Sequence, residues 1–290
     1  MYYEEPVFRP PCEARSLIIQ VTLGCPHNRC VFCAMYKMKK YRVRDVEDVK
    51  ADLRQARLMH RHVESIFLAD GNTIAMNSDK LADIISYARH LFPEAERVSS
   101  YGGARFLKGK PPEALRRLRE AGLDIIYLGL ESGDDEILAM MDKGVDSEGM
   151  IEAARRVKEA GIALSVYVLL GLGGEDLWRQ HAENTARVLN AMRPDFIRPR
   201  TLALLPGMPL YEIAREGGFR EAGGETIMRE LQVMLGALEV ENAWFLSDHI
   251  SNYVPIYGHL PEDREQMLAS IEMALENPRE YLGPRHLTHL

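Results

Sequence analysis

Three of the four cysteines fall inside the phrase TLGCPHNRCVFCAMYK, where Cys25, Cys30 and Cys33 form a C-x4-C-x2-C run. Iron–sulfur clusters are held by cysteine sulfur at short loop spacings, so three thiolates on one loop suit three corners of a cubane. Such a cluster keeps one iron open to a substrate or cofactor. The residues alone admit other ligand sets. His27 would complete a Cys3His tetrahedral zinc site, structural rather than catalytic. Cys12 would supply a fourth thiolate, as an electron-transfer cluster requires, but it precedes the first expected strand and belongs near the opposite end of a barrel unless the N-terminal arm folds over. Four cysteines of which three are clustered in this way do not resemble a disulfide framework, and they suit a reducing compartment.

A scaffold must hold that loop. From residue 16 onward, short β-branched or aromatic runs alternate with segments of helical period. Strands are expected at 17–23, 65–69, 97–101, 125–130, 163–170 and 196–204. Helices are expected between and after them at 46–60, 79–91, 112–121, 134–141, 147–160 and 176–192. This succession predicts an α/β fold, a partial (β/α)6 TIM-like barrel of parallel strands with right-handed crossovers. Gly122 and Gly161, in the echoing phrases REAGLDIIY and KEAGIALSV, are expected to cap helices at their C-termini. The alternation stops after Pro206. Residues 1–15 then read as an N-terminal arm, 16–210 as the core barrel, and 211–290 as a helical C-terminal extension. That extension is expected to carry helices at 225–241 and 264–276, joined by a polar and aromatic loop.

The cysteine loop directly after the first strand resembles that of the radical S-adenosylmethionine (radical SAM) superfamily, although the usual spacing there is C-x3-C-x2-C and one residue is added here. YLGLESGDDEILAMMDKG further resembles the branch that includes anaerobic coproporphyrinogen oxidase, methylthiotransferases and the Elongator-type catalytic subunit. The resemblance implies a [4Fe–4S] cluster on Cys25, Cys30 and Cys33 whose open iron chelates the methionine end of S-adenosylmethionine. The reduced cluster would then release a 5′-deoxyadenosyl radical. It also implies that Phe32 packs near the adenine and that Asp70, Gly71 and Asn72 of LADGNT meet the methionine amino group through their backbone. Glu131 and Lys143 would serve the ribose or carboxylate end. The glycine turn of YVLLGLGGED at Gly171, together with the backbone near Leu204, would lie near the adenine; by the strand alternation Tyr167 is expected to face the barrel mouth, and Ser100 to offer a polar contact. A carboxylate at a strand tip is costly to desolvate alone, so Glu131 is expected to have a partner. Without a ligand, residues 70–72 read equally as a βα turn.

With a net charge of -7 and a pI near 5.8, broad attraction to nucleic acid or anionic membrane is not expected. A transfer RNA would depend on the run Lys37, Lys39, Lys40, Arg42 and Arg44, which reads as a solvated face or as a dock for an anionic group. No apolar run approaches the roughly 18 residues of a membrane span, and the N-terminus lacks the build of a secretory signal, so a cytoplasmic location is expected. No cobalamin domain, RNA-binding module or second cysteine cluster is read in the chain. The expected reaction is hydrogen abstraction from a small, anionic molecule, with flavodoxin or ferredoxin as electron donor and RNA modification as the alternative. Asp248, His249, Ser251, Asn252 and Tyr253 are expected to fold over the barrel mouth and touch the substrate.

Overall fold

The computed structural model describes residues 1–283. The chain begins with β1 (Leu17–Gln20), the short strands β2 (Thr22–Leu23) and β3 (Arg42–Val43), α1 (Val46–Met59), β4 (Ser65–Ala69), α2 (Ser78–Leu91) and β5 (Arg97–Tyr101). It continues through α3 (Ala104–Leu107), α4 (Pro112–Glu120), β6 (Ile125–Glu131), α5 (Asp135–Met140), α6 (Ser147–Glu159), β7 (Ala163–Leu170), α7 (Gly174–Met192) and β8 (Phe196–Thr201). Last come α8 (Pro209–Arg215), α9 (Gly224–Gly236), β9 (Ala243–Ser247), β10 (Ile256–Leu260), α10 (Arg264–Glu276) and α11 (Pro278–Tyr281). Every expected strand–helix unit forms. Among the described residues no helix is long and apolar enough to cross a membrane.

Two compact units divide the chain: residues 1–28, 35–128 and 155–164 form the first, and 29–34, 129–154 and the described residues from 165 onward form the second. In the first unit β1, β4, β5 and β6 pair in that order and in parallel, with Leu17 opposite Ile66 and Ser99 opposite Ile125. Parallel strands covered on both faces read as unbroken apolar runs, and SIFLA of β4 is buried at every position. Val49 and Leu53 of α1 and Leu81, Ile84 and Ile85 of α2 are buried completely. Each such side chain contributes roughly 1.5–3 kcal/mol of burial. Asp45 and Asn77 cap these two helices by accepting backbone N–H bonds from the first turn.

The two echoing glycines close their helices in the same way. Gly122 has φ +111° and Gly161 φ +73°. The N–H of Leu123 returns to the carbonyl of Leu118 at 3.0 Å, and that of Ile162 to Val157 at 3.2 Å. This six-to-one bond is the Schellman cap, which needs a left-handed residue that glycine adopts without a Cβ clash.

In the second unit β7 pairs in parallel with β8, and β8 with β9. The C-terminal part departs from expectation. It is not simply helical, because the segment read as a loop folds back as the antiparallel hairpin β9–β10. AWFLS and IYGHL both alternate between covered and open positions, the period of a half-buried strand. The polar chain between them, DHISNYVP, hides that period in sequence. Its order comes from the hydrogen bonds of Asn252, whose Nδ2 donates to the Pro199 carbonyl at 3.0 Å and to Ser247 Oγ at 2.9 Å.

Gly133, the last residue of the Glu-Ser-Gly phrase, lies directly against α7. A Cβ there would stand 2.4 Å from the Asn184 carbonyl oxygen and 2.6 Å from Thr185 Cα, and the Gly133 N–H donates to Thr185 Oγ1 at 2.9 Å. Because those atoms belong to helix backbone, they yield only by moving α7. Gly133→Ala is expected to cost about 1–3 kcal/mol, read as a lower midpoint in urea unfolding. An unchanged midpoint would show that the approach is not tight.

Candidate functional site

In the first unit the cysteine loop leaves β2 through Gly24, at φ +69°. The Gly24 N–H donates to Asp70 Oδ2 at 3.0 Å, and Gln20 Nε2 donates to Oδ1 at 3.1 Å. Lys39 Nζ completes the shell at 3.1 Å from Oδ2, with the lysine side chain 2% exposed and the aspartate 0%. The ammonium also donates to the carbonyls of Glu4 and Pro6. Lys39 is therefore a buried ion-pair partner rather than a member of the cationic face expected at 37–44. Its neighbours Arg42 and Arg44 are paired as well, with Glu4 at 2.7 Å and Asp52 at 2.8 Å.

The other positions of this unit are built into protein contacts. Gly71 donates to the Gly24 carbonyl at 3.3 Å, and a Cβ on it would stand 2.7 Å from the Tyr36 ring, so packing alone requires glycine there. Asn72 Oδ1 accepts from the Gly103 N–H at 3.2 Å. Ser100 is buried and bonds to Thr73 Oγ1 and to the Tyr101 carbonyl. With those side chains engaged, residues 70–72 offer a ligand mainly backbone. Cys25 is half-buried. Tyr41 Oη is buried without a hydrogen-bond partner among the described residues, and burial followed by the charge of Cys25 pushes its pKa up. An orphaned phenol beside a thiol fits a further acceptor bound at Cys25. Cys12 is exposed, and its Sγ lies 3.4 Å from Tyr127 Oη.

In the second unit residues 29–34 are clamped through Val31, whose N–H donates to the Met141 carbonyl at 3.1 Å and whose carbonyl accepts from Leu210 at 2.9 Å. Phe32 and Leu204 pack against one apolar cluster of Ile137, Met141, Leu172, Leu202, Leu210 and Phe219. Glu131 finds the expected partner: Lys143 Nζ donates to its Oε1 at 2.9 Å and lies 5.6 Å from the Phe32 ring centroid. Gly129 makes room for this, since a Cβ there would stand 2.2 Å from Glu131 Oε1. Burial alone would lower the Lys143 pKa, but the charges of Glu131, Cys30 and Cys33 outweigh it and raise it. Tyr167 is buried beneath Arg200, whose guanidinium lies 4.6 Å from the ring centroid.

All three cysteines are half-buried and outside any disulfide. Among the described residues, no three His, Cys, Asp or Glu side chains are grouped to hold a single metal ion. A cubane instead takes each thiolate on a separate iron. In the first unit the unsatisfied phenol of Tyr41 suits an acceptor at Cys25, and in the second the Lys143 ammonium suits negative charge at Cys30 and Cys33.

Sequence reasoning missed a buried dyad. His181 of α7 and Glu230 of α9 are each 1% exposed and meet at 2.8 Å through His181 Nδ1. His181 Nε2 lies 3.2 Å from the Glu131 carbonyl oxygen, and Glu230 accepts the Gly171 N–H at 3.0 and 3.1 Å. The dyad therefore fastens two left-handed backbone positions, Glu131 at φ +64° and Gly171 at φ +82°. A signal existed in IMRELQVML, where Glu230 sits within a helix whose Ile227, Met228 and Leu231 are buried; a carboxylate so placed demands a partner.

Two outcomes follow from these buried charges. Lys39→Met leaves Asp70 charged and unpaired, and is expected to cost about 3–5 kcal/mol in urea unfolding; a loss below about 1 kcal/mol would exclude that role. Burial would lower the His181 pKa, but the Glu230 charge and hydrogen bond, the Glu131 carbonyl and Asp134 together raise it above 6.5. A raised folded-state pKa means that this stabilisation is complete below about pH 6.5 and is lost as pH climbs through the folded value. His181→Gln should flatten that alkaline loss, read from urea midpoints measured across neutral to mildly alkaline pH.

Residues 19–187 match the family model of the Radical SAM superfamily. An uncharacterised protein of Methanocaldococcus jannaschii is 24% identical over 228 residues, covering 75% of this chain and 68% of its own. The tRNA-2-methylthio-N(6)-dimethylallyladenosine synthase of Aquifex aeolicus is 26% identical over 204 residues, 67% of this chain. The chain spans only 45% of that synthase. Among solved structures, coproporphyrinogen III oxidase from Escherichia coli aligns with a TM-score of 0.57 at 18% identity, over 77% of this chain and 53% of that one. At such identity the likeness speaks for the fold alone, a mostly parallel α/β architecture of the partial-barrel kind. Members of the matched family bind a [4Fe–4S] cluster and S-adenosylmethionine. With that match covering more than half of its length, the chain belongs to the radical SAM superfamily and is an enzyme.

Proposed function

We propose that Cys25, Cys30 and Cys33 hold a [4Fe–4S] cluster and that the enzyme abstracts hydrogen from a small anionic substrate. When bound, the cluster supplies the electron that cleaves S-adenosylmethionine into methionine and the 5′-deoxyadenosyl radical. The observation that carries the reading is the Glu131–Lys143 pair beside Phe32, with the Lys143 pKa raised partly by Cys30 and Cys33. Lys143 offsets thiolate charge that would otherwise repel within a half-buried loop. Its bond to Glu131 uses Oε1, so Oε2 is disposed to accept from a ribose hydroxyl or an ammonium group. Phe32 shields the loop from water, and the Gly171 turn, held by Glu230, presents its backbone to an adenine. Tyr41 donates toward the acceptor at Cys25. A flavodoxin or ferredoxin of the cytoplasm supplies the electron.

Anaerobic reconstitution followed by dithionite and S-adenosylmethionine is expected to yield 5′-deoxyadenosine, detected by mass spectrometry. Replacing all three cysteines with alanine should abolish both the cluster absorption and that product, and Glu131→Gln should weaken S-adenosylmethionine binding about 10- to 100-fold. A cluster spectrum that persists without the cysteines would refute the ligand assignment. A cluster that forms and never yields 5′-deoxyadenosine would refute the radical chemistry.

A further inference from the structure

Strand β8 reads FIRPRT, and its alternation sorts two faces. Ile197, Pro199 and Thr201 are buried, while Phe196, Arg198 and Arg200 are half-open. In register, Tyr167 of β7 lies opposite Arg198, and Leu169 opposite Arg200. The partners of both guanidinium groups are neutral. Arg198 Nε donates to Ser165 Oγ at 3.1 Å and its guanidinium lies 5.7 Å from the Phe196 ring. Arg200 Nη2 donates to Tyr167 Oη at 3.4 Å and covers that ring. Neither forms an ion pair with a carboxylate of the described residues. Four other partly covered arginines do, Arg44 with Asp52, Arg57 with Glu94, Arg89 with Asp124 and Arg97 with Glu13, whereas Arg264 bonds to the Leu238 carbonyl.

Charges withdrawn from water are paired in folded proteins because an isolated one loses its hydration without compensation. Two cations at alternate positions of one strand also repel. An anion bound between them resolves both costs, and the planar fork of a guanidinium matches the paired oxygens of a carboxylate or phosphate. Burial and then the Arg200 charge pull the His249 pKa down to about 4, against the opposing charge of Asp248, so the ring is neutral at neutral pH. Its Nδ1 accepts the Ser251 N–H at 3.1 Å, which puts the ring proton on Nε2. Residues 251 and 252 hold that loop to the end of β8: Ser251 Oγ accepts the Thr201 N–H at 3.2 Å, and Asn252 accepts from Thr201 Oγ1 at 3.0 Å. Leu169, opposite Arg200 in register, packs on the same apolar cluster as Phe32.

We propose that Arg198 and Arg200 bind the carboxylate or phosphate group of the substrate. The inference deepens the proposed function, resting on its small anionic substrate, and moves the recognition of that anion from the run 37–44, where Lys39, Arg42 and Arg44 are already paired, to the open face of β8.

The test is calorimetric titration of the full-length reconstituted protein with inorganic phosphate and, separately, with succinate, at constant ionic strength set by sodium chloride. Saturable binding is expected, weakened about 10-fold or more by Arg198→Gln or Arg200→Gln and unchanged by Arg61→Gln on the surface. Tighter phosphate than succinate assigns a phosphorylated substrate, and the reverse order a carboxylate. Arg198→Lys and Arg200→Lys keep the charge should the glutamine variants fail to fold; they should still bind more weakly, because the two-pronged geometry is lost. No saturable binding to the unaltered protein, or equal binding by the variants, would overturn the site. Titration needs no turnover, so the two readings fail separately. Anion binding without 5′-deoxyadenosine production sinks the radical chemistry, and 5′-deoxyadenosine production without anion binding sinks this site alone.

Discussion

A carboxylate removed from water must be given a partner, and Asp70 shows how much of this chain answers to that constraint. It is completely buried, yet it is bonded by the Gly24 N–H, the Gln20 amide and the Lys39 ammonium. Those three donors come from before, within and after the stretch that begins the cysteine loop. One desolvated charge thereby sets where the loop starts, brings residue 39 back beneath it and draws the N-terminal arm in through the carbonyls that Lys39 also reaches. The energetic cost of leaving Asp70 alone exceeds the contribution of most single contacts, and that asymmetry makes it a positioning element.

The second unit repeats the solution with different residues. Glu131 is paired with Lys143, and Glu230 is paired with His181 while accepting the Gly171 N–H. Both ring nitrogens of His181 face acceptors, the Glu230 carboxylate and the Glu131 carbonyl. That geometry calls for an imidazolium, because a neutral ring has only one N–H to donate. Left-handed backbone at Glu131 is uncommon for a residue with a Cβ and persists where surroundings over-determine it. Here the Lys143 ion pair, the His181 bond and the space left by Gly129 do so together. Arg198 and Arg200, by contrast, are charges of this unit whose protein partners are neutral.

Much of the architecture was legible from local pattern. Strands β4, β5 and β7 lie where their apolar runs placed them, and Gly122 and Gly161 cap helices as their repeated phrases implied. The hairpin β9–β10 was missed because its period of two is short on each arm and the connecting residues are polar, so the strands depend on pairing for their identity. Lys39 was misread for a related reason. A lysine within a cationic run looks solvated from its neighbours, and only the return of the chain onto Asp70 buries it.

Residue type and spacing by themselves determined the chemistry at stake, namely three thiols on one loop after a strand, and the succession of strands and helices, because hydrophobic period, caps and turn glycines are properties of neighbours along the chain. Which charges became partners was decided only by tertiary structure. Asp70 with Lys39, Glu230 with His181 and Arg200 with Tyr167 are separated by 31, 49 and 33 residues, and desolvation, which makes those pairings matter, exists only once the intervening chain has folded around them.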